Sequence, residues 1–249
     1  GLGDVYKRQA VDAELGSGWM ASVMPAFDAR RAVLIDDWWA SAREDLARLG
    51  SGESDLDQAR HALAPERFAG LGTPVAQQAA WWRDQARAAG QNERAELLAS
   101  IAQAAASAPE VGSAPGYARE VAVVTGVAPG SIAASVVAEL LAGGACVIAT
   151  SSRLSHERLA FARELYRTHA VAGTRLWMVP ANLASYRDVD ALAHWIGHDQ
   201  VVTSGGTSTV AKEALVPTLL FPFAAPRVSG TLADAGPAAE SQTRVLLWL

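Results

Sequence analysis

A single cysteine in 249 residues rules out an intrachain disulfide. No His, Cys and carboxylate residues recur at the spacing of a metal site. No apolar run approaches the roughly 18 residues a membrane-crossing helix requires, and no signal-peptide pattern opens the chain. A basic footprint for nucleic acid is missing too. The 21 lysines and arginines stand against 26 acids, a net charge of -5, and no Lys/Arg stripe is visible. Half the residues are hydrophobic and 19% are charged, the balance of a globular protein. These absences leave a soluble intracellular piece, long enough for one large or two modest domains. Cys146 reads as a small core side chain rather than a nucleophile.

What is present concentrates between residues 119 and 153, REVAVVTGVAPGSIAASVVAELLAGGACVIATSSR. Arg119 to Thr125 is a valine-rich run, the composition of a buried parallel strand. It breaks at Gly126-Val127-Ala128-Pro129-Gly130, and a helical pattern begins at Ser131. A second apolar run, Ala145 to Thr150, follows the Gly143-Gly144 helix stop. Strand, glycine turn, helix and strand make one βαβ unit. Its glycine turn is where a dinucleotide pyrophosphate would sit, against exposed amides at a helix N-terminus. The G-x-G-x-x-G fingerprint is absent. Thr125-Gly126-x-x-x-Gly130-Ser131-Ile132-Ala133 is closer to the T-G-x-x-x-G-x-G pattern of short-chain dehydrogenase/reductases, and a non-binding βα turn would also explain it.

The end of the second strand bears on cofactor choice. NAD sites place an acid there for the ribose hydroxyl, and NADP sites often place an arginine nearby. Here Thr150-Ser151-Ser152-Arg153 stands, with no acid before Glu157. Ser151, Ser152 and Arg153 offer hydroxyl donors and a cationic fork to a 2′-phosphate, which favours NADPH. The same residues would also serve simply to lead into the next helix, where Ser155 to Glu157 look like an N-terminus.

These pieces carry a family resemblance. From about Arg119 to Trp248 the chain resembles the β-ketoacyl reductase region of type I fatty acid synthase, most closely the large single-chain bacterial form found in mycobacteria. The residues that carry it are TGVAPGSIAASVVAELL, GGACVIATSSRLS, RLAFARELYRTHA, LWMVPANLASYRDVDALAHWIG and PTLLFPFAAPRVSG. The family's last glycine after the turn is Ala133 here. Phe27 to Leu49, FDARRAVLIDDWWASAREDLARL, resembles the segment leading into that reductase.

The resemblance implies a short-chain dehydrogenase/reductase-like fold, NADPH as cofactor and a 3-oxoacyl thioester as substrate. It also implies partnership with the acyl carrier domain and the other synthase domains, in a homo-oligomeric cytoplasmic parent. It assigns cofactor contacts to Thr125, Gly126, Gly130, Ser131, Ile132, Ser151, Ser152 and Arg153. It adds an adenine contact at Asn182, where a bond to a turn backbone is the equal alternative. It places a small-residue loop, Phe223-Ala224-Ala225, beside the nicotinamide ribose. The family's catalytic Ser and its Y-x-x-x-K pair are not found here. The only lysines are Lys7 and Lys212, and Tyr117, Tyr166 and Tyr186 are followed four residues later by Val121, Ala170 and Asp190. No catalytic residue is therefore assigned.

The organisation follows from Gly, Pro and Ser punctuation. Residues 1–9, with DVYKRQ, resemble a translated library adaptor and read as a non-native leader. Leu246-Leu247-Trp248-Leu249 ends an apolar run without a stop signal, which reads as a fragment. Residues 10–115 read as a helical segment, with helices at Asp28 to Leu49, Asp55 to Ala64, Val75 to Ala89 and Asn92 to Ala106. The tryptophan pairs Trp38-Trp39 and Trp81-Trp82 read as packing anchors rather than a ligand cage.

Residues 116–249 alternate. Strands are expected at 120–125, 145–150, 174–179 and 217–222, and helices at 131–142, 155–169 and 185–197, with another near 235. The tract from Asp199 to Thr209 reads as a loop or insertion. The fold class is α/β, an incomplete Rossmann-type doubly wound parallel sheet of four strands in the order 3-2-1-4, preceded by helices. The function this supports is the cofactor-binding part of a 3-oxoacyl-[acyl-carrier-protein] reductase. A non-catalytic Rossmann-like module of a large synthase is the alternative.

Overall fold

The structure, a computed structural model, describes residues 25–107 and 115–224. The expected leader, the Ala225 position and the helix near 235 lie outside the described residues. In chain order the elements are β1 (Val33–Ile35), α1 (Trp38–Ser51), α2 (Leu56–Ala62), α3 (Thr73–Ala88), α4 (Asn92–Ala106), β2 (Val121–Val124), α5 (Ile132–Ala142), β3 (Cys146–Ser151), α6 (His156–His169), β4 (Arg175–Pro180), α7 (Tyr186–Gly197), β5 (Gln200–Ser204), β6 (Thr207–Lys212) and β7 (Leu219–Phe221). Short 3-10 turns occupy Ala29–Arg31 and Pro65–Phe68.

The main sheet runs β1-β4-β3-β2-β7. β4, β3, β2 and β7 are parallel, in the expected order 3-2-1-4. Helices cover both faces, as near-continuous apolar strands require. On one face Ala122, Val124, Val147, Ala149, Leu176 and Met178 join Val137, Leu141, Ala162 and Tyr166 in a core that continues into the N-terminal helices. On the other, Val123, Ile148, Trp177 and Val179 pack against Leu192, Trp195 and Ile196 of α7. The alternation along each strand assigns successive side chains to opposite faces. Cys146 is buried on the second face, and burial pushes its thiol pKa up, as befits a core side chain.

Two expectations fail. Asp28 to Leu49 is not one helix. Asp28 caps the 3-10 turn, and Val33–Ile35 then form a fifth strand, antiparallel to β4, with Leu34 opposite Trp177. The aliphatic triplet finds backbone partners on an open sheet edge, which a helix would forgo. Asp37 then starts α1 by accepting the amide of Ala40. The tract after Asp199 is not a loop either. β5 and β6 pair as an antiparallel hairpin around Gly205 and Gly206, both at positive φ.

The helical layer is tied to the sheet at the C-terminal end of α6. Trp38 Nε1 donates to Ala170 O at 2.7 Å, and its ring lies 5.4 Å from that of Phe68. Arg67 donates to the carbonyls of Arg167 at 2.8 Å, Ala170 at 2.9 Å, and Ala62. Arg167 in turn pairs with buried Asp45 of α1, Nε to Oδ2 at 2.9 Å. The tryptophan pairs differ from each other. Trp38 is buried, whereas Trp82 lies over Gly50 and Trp81 stacks edge-on against it at 4.5 Å, half exposed.

Candidate functional site

In a parallel sheet the crevice for a ligand lies beyond the carboxyl ends of the strands. Three of those ends meet at the glycine turn, residues 126–130. Val127 N donates to Thr150 O at 3.1 Å, joining the turn to the end of β3. Thr125 N donates to Phe221 O at 3.0 Å, and Ala224 N donates to Thr125 Oγ1 at 2.9 Å, joining it to the loop after β7. Gly126 lies at φ +73°, and a Cβ there would stand 2.8 Å from Ala224 Cα. Glycine is therefore required twice over, for its backbone angle and for the close approach of the two loops. Gly130 also has positive φ, but a Cβ on it would meet nothing within 4 Å. Its backbone borders open space, as a turn approached by a ligand should.

Ser131 caps α5. Its Oγ accepts the amides of Ala128 and Ala134 at 3.2 and 3.1 Å and donates to Ala128 O at 2.7 Å. That uses the whole hydrogen-bonding capacity of a hydroxyl. What Ser131 can offer a ligand is thus the turn it holds, not its side chain. The first amides of α5 have no partner within the helix, and the positive end of its dipole lies there. Ile132 sits beside them, 73% exposed. Ala133 is buried in the position of the missing glycine, and a methyl group fits.

The rim at the end of β3 divides similarly. Ser151 is buried and donates Oγ to Arg153 O at 3.0 Å, so it shapes the rim. Ser152 and Arg153 are exposed and free to face a ligand. After β4, Asn182 Oδ1 accepts the amide of Ala184 at 3.2 Å, the turn-holding bond that was the alternative to an adenine contact. Phe223 is partly exposed and stacks on Phe221, centroids 6.2 Å apart. The structure therefore brings Thr125, Gly126, Gly130, Ser131, Ile132, Ser151, Ser152, Arg153, Phe223 and Ala224 around one crevice, with Asn182 at the end of the next strand. These residues fit a dinucleotide: open glycine backbone, a helix N-terminus, and a rim with an exposed guanidinium and hydroxyl.

Two residues not singled out from sequence complete the surroundings. Asp188, in the first turn of α7, is buried and its Oδ2 accepts three amides, from Ala26, Phe27 and Asn182, at 2.7, 2.8 and 2.7 Å. It fixes the loop after β4 and the approach to β1. Arg158, in the first turn of α6, donates to Val127 O at 3.2 Å. The acidic first-turn position of Asp188 was legible as a helix start, but its partners 161 and 162 residues away were not.

The described tyrosines and lysine form no proton-relay pair. Tyr166 is buried and donates to Thr174 O at 2.8 Å. Lys212 is buried, donating Nζ to the carbonyls of Ile196, His198 and Glu213, 4.7 Å from the Trp195 ring. A cavity of about 560 Å³ lies away from the crevice, between α1, α2 and the C-terminal end of α6, lined by residues that include Asp45, Asp55, Glu164 and Arg167. It is a consequence of helix docking rather than part of the crevice. No helix among the described residues is long and apolar enough to cross a membrane.

No family model matches the chain. Parts of it are similar to fungal fatty acid synthase α subunits. The fatty acid synthase subunit alpha of Schizosaccharomyces pombe is 45% identical over 80 residues, 32% of this chain and 4% of that protein. That of Candida parapsilosis is 42% identical over 78 residues, 31% of this chain and 4% of the relative. The fatty acid synthase alpha subunit pkiB of Emericella nidulans is 34% identical over 108 residues, 43% and 6% respectively. The chain thus spans a small fraction of the length of the curated relatives it matches.

Proposed function

We propose that this chain is the cofactor-binding part of a 3-oxoacyl-[acyl-carrier-protein] reductase domain within a multifunctional fatty acid synthase, working in the cytoplasm. The similarity to fungal synthase subunits supports the synthase context. The crevice at the glycine turn, with Arg153 exposed on its rim and no acid beside it, is the observation that carries the reductase reading. Bound NADPH would supply hydride to the C3 carbonyl of an acyl thioester presented by the carrier domain. The part played by these residues is binding and orientation. The amide of Gly130 and the first amides of α5, at Ile132 and Ala133, receive the pyrophosphate. Ser152 and Arg153 receive the 2′-phosphate. The Phe223–Ala224 loop, held by Thr125, bounds the nicotinamide end.

The single-chain bacterial character belongs to the same proposal. A non-catalytic Rossmann-like module of a large synthase is the alternative, and cofactor binding separates the two. Calorimetric titration of NADPH and NADH into the chain and into Arg153→Ala is the test. A selective loss of NADPH affinity, about tenfold to a hundredfold, is expected, since one charge-assisted contact contributes about 1.5–3 kcal/mol. Equal affinities before mutation, or equal losses after it, would refute the assignment of Arg153. No binding of either dinucleotide would favour the structural module.

A further inference from the structure

Arg158, like Arg67 and Arg94, bonds only to uncharged oxygens. Arg30, Arg60, Arg83 and Arg167 each sit against a carboxylate. Arg158 is half-buried and pairs with no acid among the described residues. Its one bond goes from a terminal guanidinium nitrogen to Val127 O, at 3.2 Å, across 31 residues of sequence. A guanidinium has five N–H donors in a rigid fork, so most of them remain available.

The location is equally specific. The backbone amide of Arg158 is held by the Ser155 cap at 3.3 Å, which fixes the first turn of α6 directly after the Ser151–Arg153 rim. Val127, its acceptor, follows Gly126 and is itself tied to Thr150 at the end of β3. Turn, rim and first helical turn therefore surround one space. The guanidinium donors that Val127 O does not use are available to an anion in that space.

We infer that Arg158 is a second cation for the adenosine 2′-phosphate, sharing it with Arg153 while its bond to Val127 keeps the guanidinium in place. This rests on the dinucleotide reading of the crevice. It assigns cofactor selectivity to two arginines on different elements, one exposed on the rim and one anchored to the glycine turn. The anchored one loses less side-chain freedom on binding.

The test uses two probes that differ only in the group concerned, adenosine 2′,5′-bisphosphate and adenosine 5′-monophosphate. Each is titrated by calorimetry into the full chain, Arg158→Gln and Arg158→Lys. Gln removes the charge and, being shorter, the reach to Val127 O; Lys retains the charge. Thermal unfolding of each variant checks that the fold persists. Arg158→Gln is expected to weaken the bisphosphate about tenfold and leave the monophosphate unchanged, with Arg158→Lys in between. Equal weakening of both probes by Arg158→Gln would make the residue a holder of the turn only, and no change would deny it any role. Either result overturns the inference while a wild-type preference for the bisphosphate leaves the cofactor reading standing. Failure of the wild-type chain to prefer the bisphosphate overturns both.

Discussion

Replacing Arg67 with methionine should loosen the helical layer from the sheet. Arg67 sits in the 3-10 turn after α2, and its guanidinium is surrounded by carbonyls from Ala62, Arg167 and Ala170, two of them at the C-terminal end of α6. That end carries the negative pole of the helix dipole, which favours a cation. Burial pushes the Arg67 pKa down to about 10, so the group still carries its charge at neutral pH. Methionine keeps the length and apolar stem but removes every donor. Ala170 O retains Trp38, so the uncompensated acceptors are Ala62 O and Arg167 O. Two such losses cost about 1–3 kcal/mol each, and relief of the buried charge returns part of that, for a net loss of about 2–4 kcal/mol. Urea unfolding followed by tryptophan fluorescence would read this as a lower midpoint with the same m-value. A loss below about 0.5 kcal/mol would refute the reasoning, since it would mean that water serves the helix end as well as Arg67 does.

Two further outcomes follow from the same geometry. Gly126→Ala should displace the loop after β7 and weaken NADPH binding at least as much as Arg153→Ala, because its Cβ would overlap Ala224 backbone; unaltered binding by calorimetry would show that the two loops need not touch. His169 has its pKa lowered by burial first, then by Arg67 and His61, so the unfolded chain binds its proton more readily. Stability from this group is full above the ordinary value of 6.5 and falls as pH drops through it toward the folded pKa; His169→Gln should flatten the stability profile between about pH 7.5 and 5.5, and an unchanged slope would refute this.

The parallel strands were legible because both of their faces are buried. VAVV at 121–124 and ACVIA at 145–149 are apolar without alternation, and right-handed crossovers leave one order for them. β1 was hidden because three aliphatic residues in a helical surround carry no strand signal of their own. The open edge of β4 decides their conformation. The β5–β6 hairpin did have a signal, Gly205-Gly206 between runs of Thr, Ser and Val, and its lack of apolar alternation masked it. In the crevice, the glycine turn and the Ser-Ser-Arg rim were readable because each is local. What sequence reading missed was which hydroxyls are already occupied, as in Thr125, Ser131 and Ser151, and which side chains arrive from afar, as with Arg158 and Asp188.

The clasp of Lys212 has a practical side. Its ammonium is turned inward on the carbonyls at the end of α7, and the burial that lowers its pKa also shields it from reagents. The only other lysine in the chain is Lys7. Among the described residues, then, an acylating probe for amines has no target while α7 and the β5–β6 hairpin stay together. Lys212 becomes a built-in reporter: the rate at which it is labelled counts the openings of that one corner of the molecule.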